Sequence, residues 1–215
     1  DWSSDVCSSD LAALGTAAVA IAASLIASPA AQAADGTTSL ATVLKAGQAK
    51  FDTNHQDYDI VTKAVEAVLA AKPDSPVKVL ADGNTALTAF IPNDQAFMNL
   101  ASALTHKKVT SEAAAFTTVA SLGIPTVEKV LEYHVIPGQT ILSSDALKAN
   151  GASLATALPG ASIGVRVNDM KPSITLVDKA TKLPNPQVIL TQVDINKGNK
   201  QVAHGINAVL LPMNP

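Results

Sequence analysis

Cysteine is almost missing from this chain: Cys7 is the only one in 215 residues, and it sits in the first ten. A disulfide framework, a thiolate nucleophile and a Cys-ligated zinc site are therefore excluded for everything downstream. Tryptophan is equally scarce, with Trp2 alone, and aromatic residues make up 3% of the chain. Arginine occurs once, at Arg166, and Lys107-Lys108 is the only adjacent basic pair. Phosphate neutralisation needs a basic face, so a nucleic-acid partner is not expected, and the lysine pair reads as solvated surface. The four histidines, His55, His106, His134 and His204, never fall at local ligand spacing, and no H-E-x-x-H occurs. No metal site is expected from them.

Charge is also missing from one long stretch. Residues 11–33, "LAALGTAAVAIAASLIASPAAQA", carry none and end in Ala31-Gln32-Ala33, the small-x-small pattern that signal peptidase accepts. Gly15, Thr16, Ser24, Ser28 and Pro29 leave an apolar core shorter than the roughly 20 residues of a spanning helix. The expectation is a signal peptide over 11–33, export, and no membrane span after cleavage. No Lys or Arg precedes Lys45, so the basic n-region is missing; "DWSSDVCSSD", residues 1–10, reads as foreign sequence and is set aside. Residues 34–215 then hold all 15 Lys and Arg and, without Asp1, Asp5 and Asp10, 15 of the 18 acidic residues, for a net charge of zero. A chain of roughly 180 residues without disulfides can be held by its own core, and one domain is the economical count.

Along that domain the pattern changes partway. In "IVTKAVEAVLAA", residues 60–71, apolar positions Ile60, Val61, Ala64, Val65, Val68 and Leu69 share one stripe at helical spacing, with Asp59 as a cap and Pro73 as a stop. A shorter helix is expected over Leu40 to Ala49, entered from Ser39, and others over 94–104, 111–121 and 126–134. "VKVL" and "ALTAFI" read as two strands around Ala81-Asp82-Gly83-Asn84. Beyond Pro137 the texture is extended: "SLATAL", "SIGVRV", "SITLV", "QVILTQVD" and "QVAHGINAVLL" are separated by turn signals such as Pro159-Gly160 and Lys197-Gly198-Asn199. A short helix from Asp145 to Ala149, capped by Ser144, interrupts them. Helices early and strands late predict an α+β fold.

Three motifs recur in an order that resembles a known family. "TAFIPNDQAF" contains Thr88, Phe90, Pro92, Asp94, Ala96 and Phe97; Leu131, Tyr133-His134 and Pro137-Gly138 follow; "KQVAHGINAVLLP" supplies His204, Ile206, Val209, Leu210, Leu211 and Pro212. Together, over roughly residues 40–212, they resemble the fasciclin domain. That resemblance implies a roughly seven-stranded twisted β-sandwich or wedge with a layer of N-terminal and central helices, and a non-catalytic module without a cofactor. Its Tyr-His region is linked to integrin-dependent adhesion in animal members, which makes Tyr133 and His134 candidate partner contacts; the bacterial texture of the leader argues against integrin itself. Thr88, Phe90, Pro92, Asp94, Phe97, His204, Ile206, Leu210 and Pro212 are assigned to structure. The chain departs from the pattern at Asn207, where Asp is usual, at Lys200-Gln201, where Asn-Gly is usual, and in a longer stretch between Met98 and Thr126.

The residues themselves agree. Pro92 cannot donate to a ladder, Asn93 or Asp94 has the acceptor side chain that a helix start needs, and Phe97 returns to the core one turn later. Gly160 to Gly164 matches G-x-S-x-G around Ser162, but a turn precedes it and an alternating strand follows, the wrong context for a nucleophile elbow. Asp52 to Lys63 begins like a calcium loop, yet Asp57 stands where glycine is needed and Lys63 where the bidentate Glu belongs. His134 lacks a recognisable nucleophile and orienting acid, so it is expected to be a hydrogen-bonded strut joining a helix end to the sheet. The expected function is a secreted or surface-associated interaction module that binds an extracellular protein or polymer. Of Phe51, Tyr58, Phe90, Phe97, Phe116 and Tyr133, two are assigned to the core, so stacking on sugar rings is disfavoured. The alternative is a carrier of an extended apolar ligand, a carotenoid or lipid, suggested by the wealth of Ala, Val and Leu. Oligomeric state is not legible.

Overall fold

The computed structural model describes residues 35–214 apart from Gln48 and Asp169. The expected foreign start and leader, residues 1–10 and 11–33, lie outside these described residues. Among them, no helix is long and apolar enough to cross a membrane.

Helix α1 (Leu40–Ala46) starts where Ser39 Oγ accepts from the Thr42 amide, and it stops at Gly47, short of the expected Ala49. Helix α2 (Asp59–Ala71) buries Ile60, Val61, Ala64, Val65 and Val68, the stripe read from the sequence. "VKVL" is not a strand: Pro76–Ala81 forms a 3-10 turn. Ser75 accepts from Val77 N, Pro76 presets φ at the first position, and only Val77 and Leu80 point inward, a period of three rather than two.

Strand β1 (Leu87–Pro92) is buried at all six positions. It pairs antiparallel with β2 (Val135–Pro137) and parallel with β6 (Gln201–Ile206), so it is the middle of a three-stranded sheet. Helices α3 (Asp94–Thr105), α4 (Glu112–Ala120) and α5 (Ile124–Tyr133) follow β1, and β2 leaves α5 directly. After α6 (Ser143–Ala146), strands β3 (Ser153–Ala155), β4 (Ser162–Asn168) and β5 (Ser173–Val177) make a second, antiparallel sheet.

The side-chain alternation of β1 sets the layering. Leu87, Ala89 and Ile91 join the core under the helices, whereas Phe90 joins a second core with Tyr133, Ile136, Ile163, Leu176 and Ile206 between the two sheets. The central sheet is thus covered on both faces, which is why β1 reads as a continuous apolar run.

The described residues hold six strands in two small sheets, where seven in one sandwich were expected. The difference lies in "QVILTQVD". Val188 bridges Ile206 and Ile195 bridges Ala203, but seven steps on one side face three on the other, and the surplus bulges out around Gln192. The bulge is held: Gly205 N donates to Gln192 O, and Gln192 reaches Tyr58 and the Gln56 carbonyl. A Cβ at Gly205 would collide with the Tyr58 hydroxyl and Gln192, so this crossing requires glycine. The last strand ends at Ile206 because Asn207 turns the chain, exchanging hydrogen bonds with Gln187 through its amide and its side-chain oxygen.

Gln201, one of the two departures at this turn, is fully buried. Its Oε1 accepts from Leu40 N at 2.8 Å, while Nε2 donates to Val79 O at 2.8 Å and Asp82 O at 2.7 Å. One amide thereby ties α1, the 3-10 turn and β6 together. Gln201→Leu leaves the Leu40 amide without a partner, while Val79 O and Asp82 O keep the Asp82 and Thr85 amides; a loss of about 1–3 kcal/mol is expected in denaturant unfolding with an unchanged m-value.

Candidate functional site

The signature positions gather at the two ends of β1 and along its neighbours. Thr88 Oγ1 donates to Gln139 O at 2.8 Å and accepts from Ile141 N at 2.8 Å, fixing the chain after the Pro137-Gly138 turn. Phe90 lies 5.9 Å, centroid to centroid, from the His204 ring. Past Pro92 the two candidates for capping divide the work. Asn93 Oδ1 accepts from Ala96 N at 3.0 Å and caps α3. Asp94 turns back instead: its Oδ2 accepts from Asp59 N at 3.0 Å and its Oδ1 from Ile60 N at 2.8 Å. Asp94 is therefore the cap of α2, a role the local pattern assigns to Asp59, which is the first residue of that helix. Phe97 is buried in the helical core as expected.

Tyr133 and His134 close α5. Tyr133 is fully buried, and its hydroxyl donates to the Ser162 carbonyl at 3.0 Å, joining the helix to β4. His134 is 4% exposed. Its Nδ1–H donates to Val130 O at 2.6 Å, Nε2 accepts from Leu210 N at 3.0 Å, and its carbonyl accepts from Phe90 N at 2.9 Å. This arrangement requires the neutral ring, and burial pushes its pKa down to about 4 against the opposing pull of the Val130 carbonyl. His204, in β6, makes the matching pair of bonds: Nε2–H donates to Ile141 O at 2.8 Å and Nδ1 accepts from Asp194 N at 3.3 Å. Burial lowers its pKa too, with Ile141 O and the Asp194 charge opposing. Asp194, at φ 56, is itself anchored by Ser143 through its amide and hydroxyl. All four imidazole nitrogens are thus engaged by the main chain, an arrangement for position rather than proton transfer.

Ile206 and Leu210 pack between the sheets, Leu211 turns to the helical core, and Pro212 follows it. Ser162 opens β4, so G-x-S-x-G lies on a strand preceded by a turn.

One constellation was not foreseen. The starts of α2, α3 and α4 converge, and the donor oxygens of Asp57, Asp94 and Glu112 lie within 4.8 Å of one another; Asp52, Asp57 and Asp59 form an overlapping trio. Among the described residues, these are the acidic groups close enough to share a cation. Glu112 Oε2 accepts from Asp52 N at 2.7 Å, and its Oε1 lies 2.7 Å from His55 Nδ1. Asp52, Asp57 and Asp59 lie in the stretch that begins like a calcium loop, whereas Asp94 and Glu112 come from α3 and α4 and no local spacing announces them; Glu112 belongs to the long stretch after Met98.

A groove of about 280 Å³ opens between α3, α5 and the last residues, lined by Leu100, Leu104, Leu122, Val130, Leu211 and Met213.

A family model described as the fasciclin domain matches residues 59–212. The chain belongs to the fasciclin domain family. No curated protein matches it. Among solved structures, it is similar to a FAS1 domain pair from the insect cell adhesion molecule fasciclin I, with a TM-score of 0.53 and 16% identity, covering 82% of this chain and 51% of that one. The likeness is one of fold, and this fasciclin chain spans about half the length of that structure's chain.

The depressed pKa of His134 has a pH consequence with a definite sign. The unfolded ring titrates near 6.5 and the folded one near 4, so the unfolded state binds the proton first. The stability conferred by the neutral strut is present above about pH 6.5 and is lost as pH falls toward 4, by up to about 3 kcal/mol. His204 acts in the same direction. His134→Gln should flatten the acid limb of unfolding free energy against pH, and His134→Ala should also cost about 2–4 kcal/mol at neutral pH.

Proposed function

We propose that residues 34–215 are one exported fasciclin domain that serves as a non-catalytic interaction module, secreted or at the cell surface, binding an extracellular protein or polymer. The observation that carries this reading is the inward use of the signature. Thr88, Asp94, Tyr133, His134 and His204 are all buried with their hydrogen bonds made inside, so the working part is the outer surface they hold in place. Membership of a family represented in a cell adhesion molecule supports the same reading.

Tyr133 and His134 act on the partner through their neighbours. Neither ring reaches solvent, but Pro137 and Gly138, three and four residues after His134, are exposed on the turn after β2. We place the contact at this turn, with the Tyr-His pair fixing its position. Displayed on a non-adherent cell, the domain is expected to raise attachment to its polymer or partner cell severalfold over a display control. Pro137→Glu is expected to reduce that attachment while leaving the thermal melt in place, and equal attachment by domain and control would end the reading.

A second reading, a carrier of an extended apolar ligand, is favoured by the groove beside α5. Leu122 at its edge is 40% exposed and Met213 is 64% exposed, an apolar rim facing water. Native mass spectrometry of protein purified from its own host should then show a retained lipophilic molecule, lost in Leu104→Glu; a clean apo mass would dismiss it.

A further inference from the structure

The loop between α1 and α2 is fastened to three helix starts by carboxyl groups that have too few protons to go round. Asp94 and Glu112 are 0% and 1% exposed, and with Asp57 they bring their oxygens within 4.8 Å of one another. Both Asp94 oxygens accept from the first amides of α2, and both Glu112 oxygens are engaged by Asp52 N and His55. Asp57 Oδ2 accepts from Asn54 Nδ2 at 3.0 Å. That leaves Asp57 Oδ1, a buried oxygen with no donor.

The loop contributes Asp52, His55, Asp57 and Tyr58; α2 contributes Asp59, α3 Asp94 and α4 Glu112. Among the described residues, none of these carboxylates is paired with a lysine or arginine, and the only ion-pair partner is His55 against Glu112. Like charges this close in a buried site do not all ionise together; one proton on the pair removes a charge and supplies the missing donor.

We propose that Asp57 and Asp94 share one proton, and that this proton latches the loop of residues 52–58 onto the starts of α2, α3 and α4 as a strap that loosens in alkali. No bond to carbon or metal is involved; the proton leaves to water or hydroxide and returns from it.

Independent contacts show what the latch controls. Asp94 N donates to Asp57 O at 3.0 Å and Gln95 N to His55 O at 2.9 Å, so the strap lies along the first turn of α3. On its far side Gln192 Nε2 donates to Gln56 O, and the Tyr58 hydroxyl donates to Gln192 Oε1. Release would uncover α3 and the bulge beside β6 together. Burial, and then the Asp57 carboxyl, push the Asp94 pKa up to about 8 against the pull of the Ile60 and Asp59 amides. Tyr58 is pushed up to about 12 by burial and by Asp57 and Asp94, so it stays neutral throughout the window. An acid with a raised folded pKa contributes stability that is full below the ordinary carboxylate range and gone once pH has risen through about 8. The sign is opposite to that of His134.

Amide hydrogen exchange at Asp59, Ile60, Asp94 and Gln95 tests this directly in the wild-type chain. Between about pH 7 and pH 9.5, exchange at these amides is expected to rise by on the order of tenfold beyond intrinsic base catalysis, with the sheet amides unchanged. In Asp57→Asn the side-chain amide donates permanently to Asp94, so the extra rise disappears and the melting temperature at the alkaline end exceeds that of wild type. An equal rise in Asp57→Asn, or none in wild type, overturns the latch. Carboxyl-carbon titration by NMR of the wild type needs no variant: a coupled transition near 8 supports it, and both carboxyls titrating below about pH 5 overturns it. Calcium chloride at the alkaline end, against sodium chloride of equal ionic strength, separates a cation site. Equal effects support the proton, and calcium-specific suppression of the exchange overturns it.

Discussion

Everything in this fold is organised by the burial of β1 on both faces and both edges. A strand in that position has no access to water, so every polar group that borders it must find its partner within the protein. Thr88, Asp94, His134 and His204 answer that demand. Each makes two side-chain hydrogen bonds to main-chain groups, at least one of them in another segment of the fold, and together they set the positions of α2, α5, the loop before α6 and the C-terminal segment. The polar members of the family signature are, in this chain, groups that a doubly covered strand cannot do without.

Much of this was legible because it is local. Ser39 and Asn93 announce α1 and α3 through their caps, and α2 is announced by the spacing of its apolar stripe. The strut role of His134 followed from the absence of a reacting partner. What escaped has one physical cause, namely partners that are far apart in sequence. Asp94 caps a helix that begins 35 residues earlier, which no window of sequence displays. The acidic convergence draws on the loop before α2, on α3 and on α4. Gln201 looked like a departure at a turn, yet it is a buried hub because α1 and the 3-10 turn pack onto it. "QVILTQVD" has the composition of a strand and runs beside one, but its surplus residues, tied to Tyr58 and the loop, break the ladder.

The same division bears on function. Groups that attract a chemist's eye in the sequence, the two imidazoles above all, are committed to architecture. Groups without a recognisable pattern, the carboxyls at three helix starts, are the ones left with an incomplete set of partners. The exposed turn after β2 and the apolar groove beside α5 are what the architecture leaves to the outside, one small and polar-backed, the other greasy and open.

The parallel pairing of β1 with β6 has a further meaning. Its two strands are separated by more than a hundred residues of chain, so the central ladder is a late event whatever the order in which the helices collapse. Until the last segment arrives, β1 keeps one bare edge, and the imidazole at the end of α5 has no amide to accept from. A chain held unfinished, by a stalled ribosome or a premature stop, would therefore present a sticky template rather than a smaller version of the native molecule.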